Sequence, residues 1–179
     1  MILNEQINKI IKIMLEIDDE FKNEYANFVR KLPPKIIEKC RKNEDFVGNI
    51  DYTNNYYDYY YDLLEDHGEL EVEFSNGEEY SLSVGNILIK DLLRAPIATT
   101  ENDDFYWEFG ALTYTDVDGY KIDYSFRLKR ISKEKFIITM HKYEVHNLSL
   151  LPEKETKTTS KEITFSEFIK KAKISTNKR

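Results

Sequence analysis

The chain has 179 residues, a formal net charge of −7 and a hydrophobic fraction of 41%. That is enough apolar material and length for one folded domain with a sizeable core, and it excludes a disordered chain. The single cysteine, Cys40, excludes an internal disulfide, as expected in a reducing compartment.

The opening "MILNEQINKIIKIMLEIDDEF" carries charges throughout and lacks a small-residue cleavage site. A secretory signal is therefore not expected, and no apolar run is long enough to span a bilayer, so a cytoplasmic location is expected. Residues 4–31 read as a long helix, because Ile7, Ile10, Ile11, Met14, Leu15, Phe21, Tyr25, Phe28, Val29 and Leu32 recur at three- and four-residue spacing. The apolar stripe is interrupted at Asp18-Asp19, a weak spot. The near-heptad spacing also permits a coiled-coil dimer, although a helix packed on a sheet is the favoured explanation. Pro33 and Pro34 end this element, and "KIIEKCRKN" reads as a short second helix containing Cys40.

The stretch "DYTNNYYDYYYDLLED" at 51–66 holds six tyrosines and five acids without a lysine or arginine. Residues 55–66 read as a helix that gathers Tyr57, Tyr60, Tyr61 and Leu64 on one side. Asp58, Asp62, Glu65 and Asp66 gather on another. Beyond Gly68 the period becomes two: Leu70, Val72 and Phe74 alternate with Glu69, Glu71 and Glu73. Parity at the following "SNG" favours a three-residue hairpin loop, Ser75-Asn76-Gly77, that pairs Val72 with Tyr80 and Leu70 with Leu82. A second hairpin is expected around a two-residue Asp118-Gly119 turn, with Thr115 facing Ile122, Ala111 facing Phe126, Phe109 facing Leu128, Asp116 facing Lys121 and Glu108 facing Lys129. A third strand, "KFIITMHKYEV", continues the meander. "PEKETKTTSKE" reads as a polar loop, and Thr164 with Glu167 forms a capping box before a terminal helix, "FSEFIKKAKI".

The fold class predicted is α+β: N-terminal helices, a mostly antiparallel sheet of about five strands with two hairpins, and a C-terminal helix. Segments 1–43, 44–151 and 152–179 divide the chain into a helical part, an acidic helix plus sheet, and a loop with the last helix, all in one compact domain.

Catalytic and metal signatures are not evident. "DVDG" at 116–119 fails the calcium-loop pattern, which would require acids at Tyr114 and Ser125. His67, His141 and His146 have no metal-ligand spacing. There is no nucleophile elbow and no phosphate-cradling glycine loop, so neither a cofactor nor an enzymatic activity is expected.

Charge is segregated instead. Residues 1–42 hold 9 basic and 7 acidic side chains, residues 43–120 hold 2 and 19, and residues 121–179 hold 15 and 7. The centre has the wrong sign to bind nucleic acid directly. Asp58, Asp62, Glu65, Asp66, Glu69, Glu71 and Glu73, bordered by Tyr52, Tyr56 and Tyr59, form a candidate surface for a basic partner, with Asp103 and Asp104 as a second contact. Such a surface can imitate a phosphate array and occupy a groove that normally holds DNA or RNA. A non-enzymatic inhibitor of a CRISPR effector or other nuclease, such as a phage anti-defence protein or an immunity protein, would work this way. A solvated face that keeps the protein soluble explains the same residues. The other reading is a ligand-binding protein or enzyme whose curved sheet forms a pocket lined by Trp107, Phe109, Tyr124, Phe126 and Met140.

Overall fold

The computed structural model describes residues 5–32, 34, 46–52, 55–63, 67–74, 76–85, 89–98, 106–146 and 153–172. Its class is α+β, with N-terminal helices and a C-terminal helix around an antiparallel sheet. The predicted N-terminal helix is two: α1 (Glu5–Leu15) and α2 (Asp19–Lys31). The break falls at the interrupted stripe. Asp18 is extended and caps α2, its side chain accepting from Phe21 N at 2.9 Å. The short helix expected after the prolines lies outside the described residues, as does Cys40.

Among the described residues the sheet is a simple up-and-down meander of eight strands in chain order, where about five were expected. They are β1 (Phe46–Tyr52), β2 (Asn55–Leu63), β3 (His67–Phe74), β4 (Glu79–Gly85), β5 (Trp107–Thr115), β6 (Tyr120–Arg130), β7 (Lys135–His146) and β8 (Lys154–Thr164). A short helix α3 (Ile89–Arg94) lies between β4 and β5, and α4 (Phe165–Ala172) follows β8.

Two predicted elements change type. Residues 55–63 form strand β2, not a helix. Tyrosines occupy 57, 59, 60 and 61, so both a helical and an alternating period are filled. Pairing decides between them: β2 lays Tyr57, Tyr59 and Tyr61 opposite Phe74, Val72 and Leu70, and tyrosine suits a pleated surface. The segment predicted as a polar loop is β8, which pairs along the length of β7. Its inward positions carry Lys157 and Thr159 before the buried Ile163, so an apolar group appears only at the end of the strand and the sequence period was masked. Charged side chains also suit a sheet edge, where they discourage further pairing.

The first hairpin has the predicted register, with Val72 opposite Tyr80 and Leu70 opposite Leu82. Gly77 takes a φ of 96° in its loop, a left-handed value that favours glycine. The second hairpin is one residue out of the predicted register: Thr115 faces Lys121 and Tyr114 faces Ile122. Asp116 causes the difference. Its Oδ1 accepts from the backbone N–H groups of Asp118 and Tyr120, both at 2.9 Å. The loop is thereby Val117-Asp118-Gly119, with Gly119 at φ 81°. A bulge between Glu108 and Gly110 then places Glu108 opposite Arg127, not Lys129.

One face of the sheet carries the core. Phe21 of α2 meets Tyr124 and Phe126 edge-on at 5.5 and 4.6 Å, and Phe28 lies 5.3 Å from Tyr80. Met14 of α1 presses on Gly110, where an added Cβ would come within 2.6 Å of its sulfur. At the other end Phe165 and Phe168 of α4 pack on Phe136. The capping box forms as predicted: Glu167 N donates to Thr164 Oγ1 and Thr164 N to the Glu167 carboxylate, both at 3.1 Å.

Candidate acidic interface

Asp58, Asp62, Glu69, Glu71 and Glu73 are placed by strand register, not by a helix face. Asp58 lies opposite Glu73 and Asp62 opposite Glu69, with Tyr60 opposite Glu71 between them. On the far side of β3, Glu73 faces Glu79, Glu71 faces Ser81 and Glu69 faces Ser83. These positions share the sheet face opposite the helices, because the alternate residues Leu70, Val72, Tyr80 and Leu82 are buried in the core. Glu73 and Glu79 are exposed and Glu71 is half-buried. Neighbouring strands stand about 4.8 Å apart and alternate residues along a strand about 6.6 Å apart. Asp58, Glu73 and Glu79 therefore form a row across three strands, in which like charges oppose one another.

The tyrosines sort differently from the prediction. Tyr59 is in register with the fully buried Val72, and Tyr52 with Asn55. Tyr56 and Tyr60, opposite Asp51 and Glu71, are the ones at register positions of the acidic set. Strand alternation in "YYDYYYDL" carried that signal. Glu65, Asp66, Asp103 and Asp104 lie outside the described residues.

Nearby acids are taken up by the fold. Glu78 accepts from the Tyr114 hydroxyl at 2.8 Å and lies 3.4 Å from Lys31 Nζ. The Tyr114 hydrogen bond is the main reason its carboxyl sits below the usual range. The predicted Glu108–Lys129 and Asp116–Lys121 facings do not form. Cations of the basic C-terminal third run to the N-terminal helices instead. Lys142 pairs with Glu20, Lys157 with Asp18 at 2.8 Å and Glu20 at 3.2 Å, and Lys171 with Glu16. Burial alone would lower the Lys142 pKa, but hydrogen bonds to Glu20 and Glu144 push it up. The same network lowers Glu20, chiefly through Lys142. In Asp18, burial is outweighed by Lys157, the Phe21 N–H and Thr159. This cluster fastens α2 to β7 and β8.

Phe109, Tyr124, Phe126 and Met140 are each 0–1% exposed and Trp107 packs against them. They fill the core between sheet and helices. The His146 ring lies tilted against Tyr120 at 5.2 Å, and His141 Nδ1 contacts the Glu155 carboxylate. Among the described residues no three His, Cys, Asp or Glu side chains gather as a metal site, and no helix is long and apolar enough to cross a membrane. Comparison with protein-family models, with curated proteins and with solved structures found no match.

Proposed function

We propose that the acidic face of β2–β4 docks on the basic, nucleic-acid-binding groove of a partner protein and blocks it. The observation that carries this reading is the register that sets Asp58 opposite Glu73 and Asp62 opposite Glu69, with Glu73 in turn opposite Glu79. Like charges in direct cross-strand opposition cost stability. Arginines and lysines placed along the rows relieve that repulsion and form charge-assisted hydrogen bonds. Spacing of a few ångströms in two directions gives the face a two-dimensional array of acids, which suits a groove built for a phosphate backbone. Tyrosine at the register positions between acids adds contact area of the kind enriched at interfaces. The chain acts by occupancy, with no chemistry of its own. A nuclease or an RNA-guided effector is the partner class that such an array fits.

The test is capture of partners by the purified chain from a lysate at low and high salt. The control is a variant with Asp58→Asn, Asp62→Asn, Glu71→Gln and Glu73→Gln. Salt-sensitive capture of a nucleic-acid-binding protein by the native chain alone supports the reading. Equal capture by both forms refutes it and leaves the acids as a solvated face.

A further inference from the structure

The other half of the same sheet face has the opposite character. Between β6, β7, Ala98 and Tyr106 lies a cavity of about 600 Å³, within the size range of small-molecule sites. Its lining includes the cations Arg127 and Lys129 and the His141 imidazole, with Tyr106, Ile131 and Ile137 as apolar groups.

Two arginines three residues apart on β6 show what is unusual here. Arg130 is consumed by the fold. Its guanidinium donates to the backbone carbonyls of Ser132 at 3.1 Å, Leu93 and Ala95 at 3.2 Å, and Lys133 at 2.9 Å. Arg127 instead lies under the ring of Tyr106, its Cζ 4.4 Å from the centroid. One Nη donates to the Tyr143 hydroxyl at a long 3.4 Å. Its Nε is buried and has no hydrogen-bond partner among the described residues, and the same holds for Ser125 Oγ. Ser125 stands two residues along β6, opposite His141. Buried polar atoms are ordinarily paired, so an orphaned guanidinium N–H in a cavity wall is unfinished chemistry. Glu155 is the nearby acid. It bonds Thr158 and His141 and feels the Arg127 charge, but among the described residues it forms no ion pair with Arg127.

We infer that this cavity binds a small organic anion, with a carboxylate or phosphate head on the Arg127 guanidinium and a flat apolar body against Tyr106, Ile131 and Ile137. The planar guanidinium fork matches either head group. The lining supports an apolar body, because Tyr106 is 41% exposed beside Ile131 and Ile137. The site uses none of the acidic positions of β2 and β3, so it stands or falls apart from the docking reading.

The probes are phenyl phosphate, benzoate, inorganic phosphate and phenol, titrated into the ¹⁵N-labelled native chain and followed by amide shifts. Expected is saturable binding of phenyl phosphate or benzoate with shifts at Arg127, Thr139 and His141, and weaker effects from inorganic phosphate and from phenol, each lacking half of the ligand. Phenyl phosphate ahead of benzoate assigns a phosphate head, and the reverse order a carboxylate. Arg127→Lys keeps the charge and Arg127→Met removes it. Affinity should fall by at least about tenfold in the methionine variant, with the lysine variant between. Shifts scattered over all the lysines, or no saturable binding of any probe to the native chain, would overturn the inference. So would equal binding by a folded Arg127→Met variant.

Discussion

Asp18 is the residue on which the helical layer turns, and its removal can be worked out in advance. Its carboxylate caps α2 through Phe21 N at 2.9 Å, accepts from Thr159 Oγ1 at 2.8 Å and pairs with Lys157 Nζ at 2.8 Å. The side chain is only 3% exposed, whereas that of Lys157 is 37% exposed. Loss of an N-cap costs about 1 kcal/mol. Loss of the charge-assisted bond from Thr159 costs about 1.5 kcal/mol. The Lys157 pair is half in solvent and adds about 0.5 kcal/mol. Asp18→Ala should therefore destabilise by about 3 kcal/mol, or lower Tm by about 9 °C in a chain of this size. Asp18→Asn keeps the cap and a hydrogen-bonding group, so it should cost only about 1 kcal/mol. Urea unfolding of the three proteins at constant m reads both numbers. An alanine variant within about 0.5 kcal/mol of the native chain, or an asparagine variant as costly as alanine, would refute the assignment of Asp18 as a cap tied to β8.

Gly110→Ala should destabilise by about 1–3 kcal/mol through overpacking, since the new Cβ would meet Met14 Sδ at 2.6 Å. A double-mutant cycle with Met14→Ala should show strong coupling, and additive costs would argue against the contact. Stability should fall on acidification, because the folded state depresses Asp18, Glu20 and Glu144. With folded values below unfolded ones, their contribution is complete above the ordinary carboxylate range and is lost as pH falls through the depressed values. Urea midpoints against pH measure this, and Lys142→Met should flatten the curve. Glu24 has the opposite sign, its pKa raised by burial, so Glu24→Gln should raise stability at neutral pH. Neutralising Glu79, which opposes Glu73, should add a few tenths of a kcal/mol at low salt and less at high salt.

What the sequence made legible follows from which periods were unambiguous. Leu70, Val72, Tyr80 and Leu82 alternate cleanly around "SNG", and both register and loop length could be read from parity. Thr164 and Glu167 announced their helix through a local motif. The failures have local causes as well. Tyrosines at nearly every position of 56–61 satisfied two periods at once, and only the partner strand decides between them. In β8 the inward side chains Lys157 and Thr159 bond Asp18 and Glu20 at the start of α2 where apolar packing would otherwise occur, and only Ile163 at the strand's end is buried, so one apolar residue was too little to show a period. The side chain of Asp116 lengthened the second hairpin loop by one residue. The acidic residues 58, 62, 69, 71 and 73 nonetheless stand at positions of like parity on two paired strands, because alternation in a strand pair groups residues as a helix face would. Arg127 and its cavity had no sequence signal. "RLKR" does not reveal which of its arginines the backbone carbonyls will claim.

The most direct test of the docking account is competition for the captured partner. A labelled duplex or RNA ligand is bound to that partner and displaced by titrating this chain at several salt concentrations. The account predicts full competitive displacement, weakening as salt rises and absent for the variant neutralised at Asp58, Asp62, Glu71 and Glu73. A stable ternary complex of nucleic acid, partner and this chain would contradict it.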